Sequence, residues 1–297
     1  MNPRTLTWIF RGSQGIRAGW SVAIFGAILA VQFIALKFAA ERWLHVSKLQ
    51  KGDLSARSAL IAEAISVIVV LIATAIMAKI EGRSPWSYGL ASGRRIRQFL
   101  TGWLGGLIFL SSLVAALVLS GHLVFDGLYL HGLAILQFGL VWFLGFALVG
   151  LNEEILARGY LQSTLARGVG FWGAALLTSL LFSLGHLRHD GENILGIASA
   201  FAVGMAFCLL LQKSGSLWLG IGIHAAWDWA QSYLYGTPDS SVMIQGHLLV
   251  SHAVGDARVS GGTAGPEGSV LAMPALFLGI LGLLRVARRT GLLASTA

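Results

Sequence analysis

Ionisable side chains are what this chain has little of: Asp, Glu, Lys and Arg make up 11% of its 297 residues, against a hydrophobic share of 56%. Soluble domains carry roughly 25% charged residues. With a mean hydropathy of +0.74 the composition excludes an ordinary globular domain and points to a polytopic membrane protein. Cysteine is confined to Cys208, inside an apolar run, which excludes an intramolecular disulfide and a cysteine-rich metal site. Acids are outnumbered, 13 Asp and Glu against 21 Lys and Arg, for a net charge of +8. The basic residues fall in short clusters between apolar runs, the pattern of membrane loops rather than of a nucleic-acid surface. Also missing are a His-Glu-x-x-His zinc helix, a Gly-x-Gly-Asp aspartyl motif, a Gly-x-Ser-Gly serine motif and a Walker loop. Met1 to Ala18 has no apolar core, so a cleavable signal peptide is not expected.

What is present is a series of long apolar runs. They lie near Trp20 to Ala39, Ala59 to Met77, Phe99 to Ser120, Leu133 to Leu151, Phe171 to Leu187, Ile194 to Leu211, Leu217 to Leu234 and Val270 to Leu284. Each suits one crossing of a hydrocarbon core about 30 Å thick. The expected fold is all-α, a polytopic transmembrane bundle of about eight helices. The 38 glycines read as close-packing positions between helices. Arg4, Arg11 and Arg17 precede the first run, Lys79, Arg83, Arg94, Arg95 and Arg97 follow the second, and Arg285, Arg288 and Arg289 follow the last. The positive-inside bias then puts both termini in the cytoplasm, although the first outer loop also holds Arg42, Lys48, Lys51 and Arg57. The Gly- and Ser-rich stretch from Tyr235 to Gly268 is expected outside the membrane. Lys37 is read as snorkelling, Glu63 as paired or interfacial rather than catalytic, and Trp20, Trp43, Trp103, Trp142 and Trp218 as interface anchors.

Three pairs at helical spacing stand out. Asn152-Glu153-Glu154-Ile155-Leu156-Ala157-Arg158-Gly159-Tyr160 places two carboxylates and an arginine at the end of an apolar run. Carboxylates at that depth are costly and usually functional. Glu154 and Arg158, i and i+4, share a helix face, and Glu153 is turned about 100° away. Phe182-x-x-x-His186 and His224-x-x-x-Asp228 repeat the spacing. Three helices could therefore turn these faces into one cavity, provided that the helix bearing Glu153 runs on through Arg158 towards Arg167. The chemistry they allow is hydrolytic without a Ser or Cys nucleophile. Glu153 is a base toward water, His186 holds that water or a metal, and His224 stabilises an oxyanion or serves as a ligand.

In this order the three motifs resemble the CPBP family of intramembrane proteases, which includes the type II CAAX prenyl proteases and the bacteriocin self-immunity (Abi) proteins. The Gly-rich segment ending Gly265-Pro266-Glu267-Gly268 is also similar to bacterial members. The resemblance covers about Leu133 to Gly268. The chain is accordingly read as three segments: 1–130 with the first three helices and loops, matching only as generic membrane helices, a core over 131–268 with helices four to seven that carries the resemblance, and 269–297 with the last helix and a basic tail. The resemblance implies Glu153 and His186 as the water-activating pair and His224 with the residue four on as the oxyanion pocket. Glu154, Arg158 and Phe182 take structural or orienting parts. Asp228 departs from the Asn common in the family: it is protonated, orients His224 or binds a metal. The cofactor is open, either a divalent metal such as zinc held by Glu153, His186, His224 and Asp228, or none. The implied partners are the lipid bilayer and a membrane-associated or prenylated peptide, without nucleic acid, in a prokaryotic inner membrane. The rival reading is a transporter or immunity factor that uses the same buried Glu/His network without catalysis.

Overall fold

The structure, a computed structural model, describes residues 9–13, 15–43 and 55–292, apart from the side chains of 37 and 39–43. Arg4, Lys48 and Lys51 lie outside the described residues, as do the side chains of Lys37, Arg42 and Trp43. All eight apolar runs are helical: α1 (Ala18–Trp43), α2 (Ala56–Ile80), α3 (Arg95–Leu119), α4 (Leu133–Glu154), α5 (Ser163–Gly185), α6 (Ile194–Ser214), α7 (Trp218–Asp228) and α8 (Ala272–Arg289). Among the described residues five stretches are long and apolar enough to cross a membrane: Ala18–Leu36, Ala56–Ile80, Arg95–Leu119, Leu133–Arg188 and Ile194–Ser214. The protein is an integral membrane helix bundle. α7 falls outside those five because it is short, but from Leu219 to Asp228 every residue except His224 is buried.

Lipid tails are as apolar as leucine, so burial of apolar surface alone does not drive helices together in a bilayer; close packing does. Glycine supplies it here. A Cβ on Gly102 or Gly106 of α3 would run into the α7 backbone at Leu219 and Ile223, and one on Gly222 of α7 would strike the Phe99 carbonyl of α3. α7 is thereby held against α3 at backbone contact, with Phe109, Leu110, Leu113 and Phe207 filling the surrounding core. The outward stripe Leu136, Leu140 and Leu144 of α4 is exposed, as a lipid-facing surface should be.

The chain does not stop at Glu154. Residues Ile155–Gln162 continue as a π-helix, and Gly170, with φ of 74°, then reverses the direction. The following stretch packs back on the wide turn: Gln162 donates to the Phe171 carbonyl (3.5 Å) and accepts from Thr178 Oγ1 (3.0 Å). α6 opens on Asn193, whose Oδ1 accepts the N–H groups of Leu195 and Gly196, both at 2.9 Å, and closes on Gly215 with φ of 66°.

The segment after Tyr235 holds more structure than the sequence suggested. Strand β1 (Leu123–Leu128), before α4, pairs antiparallel with β2 (Leu249–Ala253) across a bulge between Phe125 and Gly127. Such a two-stranded ribbon has too short a polar-apolar alternation to announce itself. The reading of Trp142 as an interface anchor is corrected. Trp142 is buried and donates to the Gln245 carbonyl of this segment (3.0 Å). Its ring packs inside the protein, where it fixes the long segment to the bundle. Trp103 is half-buried and packs between Phe143 and Trp229.

Candidate functional site

At the end of α4 the two acids diverge. Glu154 is buried and accepts a hydrogen bond from Arg158 Nη1 at 3.0 Å. The same Oε1 lies 3.1 Å from His224 Nδ1, on α7. An ionised carboxylate can only accept, so Nδ1 carries the proton. The other nitrogen, Nε2, then points at Glu153 Oε2 (3.5 Å) and Asp228 Oδ2 (3.6 Å). Glu153 keeps about a third of its side chain exposed, to the cavity rather than to a partner cation.

Arg158 is fully buried within the π-helix. Its guanidinium lies 4.3 Å from the Phe182 ring centroid and 5.5 Å from that of Phe207, so two aromatic faces meet the part of the cation that Glu154 does not. Room for Nη2 comes from Gly204 of α6, where a Cβ would stand 3.1 Å from it. Phe182 also meets both imidazoles edge-on, with ring centroids 4.9 Å from His186 and 6.2 Å from His224. His186 caps α5. Its Nδ1 is 2.9 Å from the Phe182 carbonyl, which fixes the proton on Nδ1 and leaves Nε2 free to accept.

These groups line one cavity of about 320 Å³. Glu153, His186, His224 and Asp228 are all on its wall, as is Phe182; Glu154 and Arg158 lie behind it. Apolar side chains, among them Phe109, Phe146, Val149 and Leu276, make up much of the rest. The helix bearing Glu153 does run on towards Arg167, the condition for the acid and the two imidazoles to meet.

Three wall carboxylates were not assigned to the site from the sequence. Glu63 of α2 faces the cavity and makes no hydrogen bond or ion pair among the described residues. Asp239 and Glu267 reach in from the long segment. Asp239 accepts from Ser232 Oγ (3.3 Å), and Glu267 Oε1 accepts from the N–H and Oγ of Ser240 (2.6 and 2.8 Å). Burial pushes the Asp239 carboxyl well above its ordinary range, and the charges of Asp228 and Glu267 add to this. Burial also raises Glu267, although its bonds to Ser240 work the other way. A run of glycines around Glu267 was visible in the sequence; nothing local marked Asp239 or Glu63 as facing the same space.

The donor set was tested against a divalent metal. Among the described residues no three His, Cys, Asp or Glu side chains are grouped as ligands of one ion. His224 gives its Nδ1 to Glu154 and His186 gives its Nδ1 to a carbonyl, so each retains one nitrogen; that of His224 faces Glu153 and Asp228, but the three are not spaced as ligands around one ion. The side chains as placed do not fit a metal.

Residues 134–230 match the model of the family described as type II CAAX prenyl endopeptidase Rce1-like. The matched segment runs from the first turn of α4 to just past Asp228 and contains all seven of the site residues carried by the three motifs. It leaves out Glu63, Asp239 and Glu267. No curated protein matches the chain.

Proposed function

We propose, from the family match over 134–230, that this membrane protein is an intramembrane peptidase that uses a glutamate-activated water. The observation that carries the reading is convergence. Glu153, His186, His224 and Asp228 come from three separate helices and all border one cavity. Glu153 is the base: it takes one proton from water, while His186 Nε2 accepts a hydrogen bond from the O–H that remains, which orients the oxygen toward a peptide carbonyl. The oxyanion so formed is met by His224. Because Nδ1 is committed to Glu154, Nε2 donates only from the imidazolium form, and the carboxylates of Glu153, Glu154 and Asp228 are its counter-charges. Asp228 orients that ring and does not itself donate. Glu153 then passes its proton to the leaving amine, and the C–N bond breaks with no covalent intermediate. Glu154, Arg158 and Phe182 position His224 and His186 and do not touch substrate.

The substrate is a peptide at or within the membrane, of the prenylated CAAX type or another lipid-proximal tail. The test is cleavage of a quenched prenylated peptide and of a library of membrane-protein tails by purified protein in detergent. Wild type is compared with Glu153→Gln and His186→Ala, with and without a chelator. Cleavage by wild type alone, insensitive to the chelator, is the expected result. No cleavage by folded wild-type protein across the library would end the peptidase assignment.

A further inference from the structure

The first turn of α3 carries a charge pattern opposite to the one a helix favours. The N-terminal end of a helix dipole is positive and attracts acids. α3 has none there, and Arg94, Arg95 and Arg97 stand exposed in their place. The C-terminal turn of α8 adds Arg288 and Arg289, and the two ends are joined: Gln98 donates to the Leu292 carbonyl (3.2 Å), and Arg94 Nη1 lies near Gly291. None of these five arginines has an acidic partner among the described residues. Arg167, at the same end of the bundle, is by contrast neutralised by Glu81 at 2.8 Å.

Two grooves flank this turn. One, about 870 Å³, runs from Arg94, Arg95 and Arg97 along Leu100 and Leu104 to Val286 of α8. The other, about 510 Å³, also borders Arg95 and is lined by Phe99, Leu148 and Trp218. Both continue from guanidinium groups into exposed aliphatic surface. Beyond the guanidinium groups the lining is apolar apart from Thr101, so a peptide anion would find charge but little to pair its backbone with.

We propose that this turn is a binding site for an anionic phospholipid, with the headgroup phosphate on the guanidinium groups of Arg94, Arg95 and Arg97 and the acyl chains lying along the two grooves. The phosphate takes bidentate hydrogen bonds from the arginines and also supplies the negative charge that the helix terminus lacks. Arg288 and Arg289 contribute charge to the rim, which favours an anionic headgroup over a zwitterionic one. The site is distinct from the peptidase cavity and does not rest on that reading.

The experiment reconstitutes the full chain in nanodiscs of phosphatidylcholine with or without phosphatidylglycerol. It measures the melting temperature and, by native mass spectrometry, the lipid retained. Wild type should melt several degrees higher with phosphatidylglycerol and retain it over phosphatidylcholine by roughly five-fold or more. R94Q/R95Q/R97Q should melt as wild type does in pure phosphatidylcholine and lose both effects. Inorganic phosphate added to the phosphatidylcholine discs should not shift the melt. Equal melting and retention in the two lipids, or selectivity that survives the triple variant, would overturn the proposal. A full shift with phosphate alone would reassign the turn to a free anion. If the triple variant does not fold, retention by wild type and by R95Q decides.

Discussion

Two buried charge clusters sit on the same stretch of chain, and they differ in how fully their charges are matched. Toward the Arg-rich end, Glu81 is surrounded: Arg167 Nη2 lies 2.8 Å away, Tyr160 Oη 3.1 Å and Tyr88 Oη 3.0 Å. Tyr160 stacks on Phe25, and Tyr88 packs beside it, so no space is left around the carboxylate. Burial pushes the Glu81 carboxyl up, but the hydrogen bonds from Arg167 and Tyr88 and the charge of Arg167 outweigh it and hold the group below the usual carboxylate range. Two positions from Tyr160, Arg158 anchors the other cluster. There one arginine serves a single glutamate, while Glu153, Asp228 and Glu63 face a cavity with no arginine or lysine beside them, and His224 is shared between the first two. A saturated cluster ties helices together. An unsaturated one at an open cavity retains acceptors for water and substrate, at a cost in stability that the packing around it must offset.

The sharpest way to break the comparison is to change one acid in each cluster. Glu153→Gln should lower the cleavage rate by about 10²- to 10⁴-fold, the range for removal of a general base, and leave the melting temperature close to wild type. An inactive variant that is also strongly destabilised would place Glu153 with the structural acids instead. Arg158→Leu should do the opposite in kind. It strands Glu154 without its ion pair, and breaking a buried pair costs about 3–5 kcal/mol. Unfolding in denaturant should show that loss directly. In whatever protein remains folded, His224 loses its orientation and activity falls as well.

The legibility of the two clusters from sequence was unequal for the same physical reason. Helical spacing exposes partners that lie within one helix: Glu154 with Arg158, Phe182 with His186, and His224 with Asp228 were all readable at i and i+4. The eight apolar runs located the eight helices because charged residues interrupt them so rarely. The link between Glu154 and His224 spans 70 positions, and that between Glu81 and Arg167 spans 86; pairing at such range leaves no periodic trace. Glu63 was read as paired or interfacial because its own helix shows it alone. Its direction depends on how α2 packs against α4, which the α2 sequence does not encode locally. The π-turn after Glu154 was also invisible, since its wider hydrogen bonding has no composition of its own.

A smaller effect is expected at Glu81. Since its carboxyl is depressed in the folded protein, the stabilisation it provides is complete above the ordinary glutamate pKa and is lost as pH falls through the lower, folded value. Glu81→Gln should remove that acid-side loss and lower the melting temperature at neutral pH by a few degrees. Melting curves between pH 3 and pH 7 would show it. A wild-type profile that is flat over this range would mean that Arg167 and the two tyrosines contribute shape only.

Asp239 gives the mildest and most local prediction, and its sign is reversed. Its carboxyl is raised in the folded state, first by burial and then by Asp228 and Glu267, so the folded form favours the protonated acid. The stability linked to it is present below the ordinary aspartate range and is lost as pH rises through the folded value. Facing it are Ser232, Asp228, Glu153 and Glu267, three of them acids, so ionisation brings repulsion without a compensating cation. The long segment that carries Asp239 should therefore loosen from the cavity on the alkaline side before the helices do. Hydrogen exchange of residues 236–248 should accelerate with pH beyond the intrinsic chemical trend in wild type, and Asp239→Asn should return it to that trend. Unchanged exchange in the variant would assign any alkaline loosening to Glu267, whose raised carboxyl is bound to Ser240 next door. The saturated cluster offers the control: tied by Arg167, it should show no such opening over the same range.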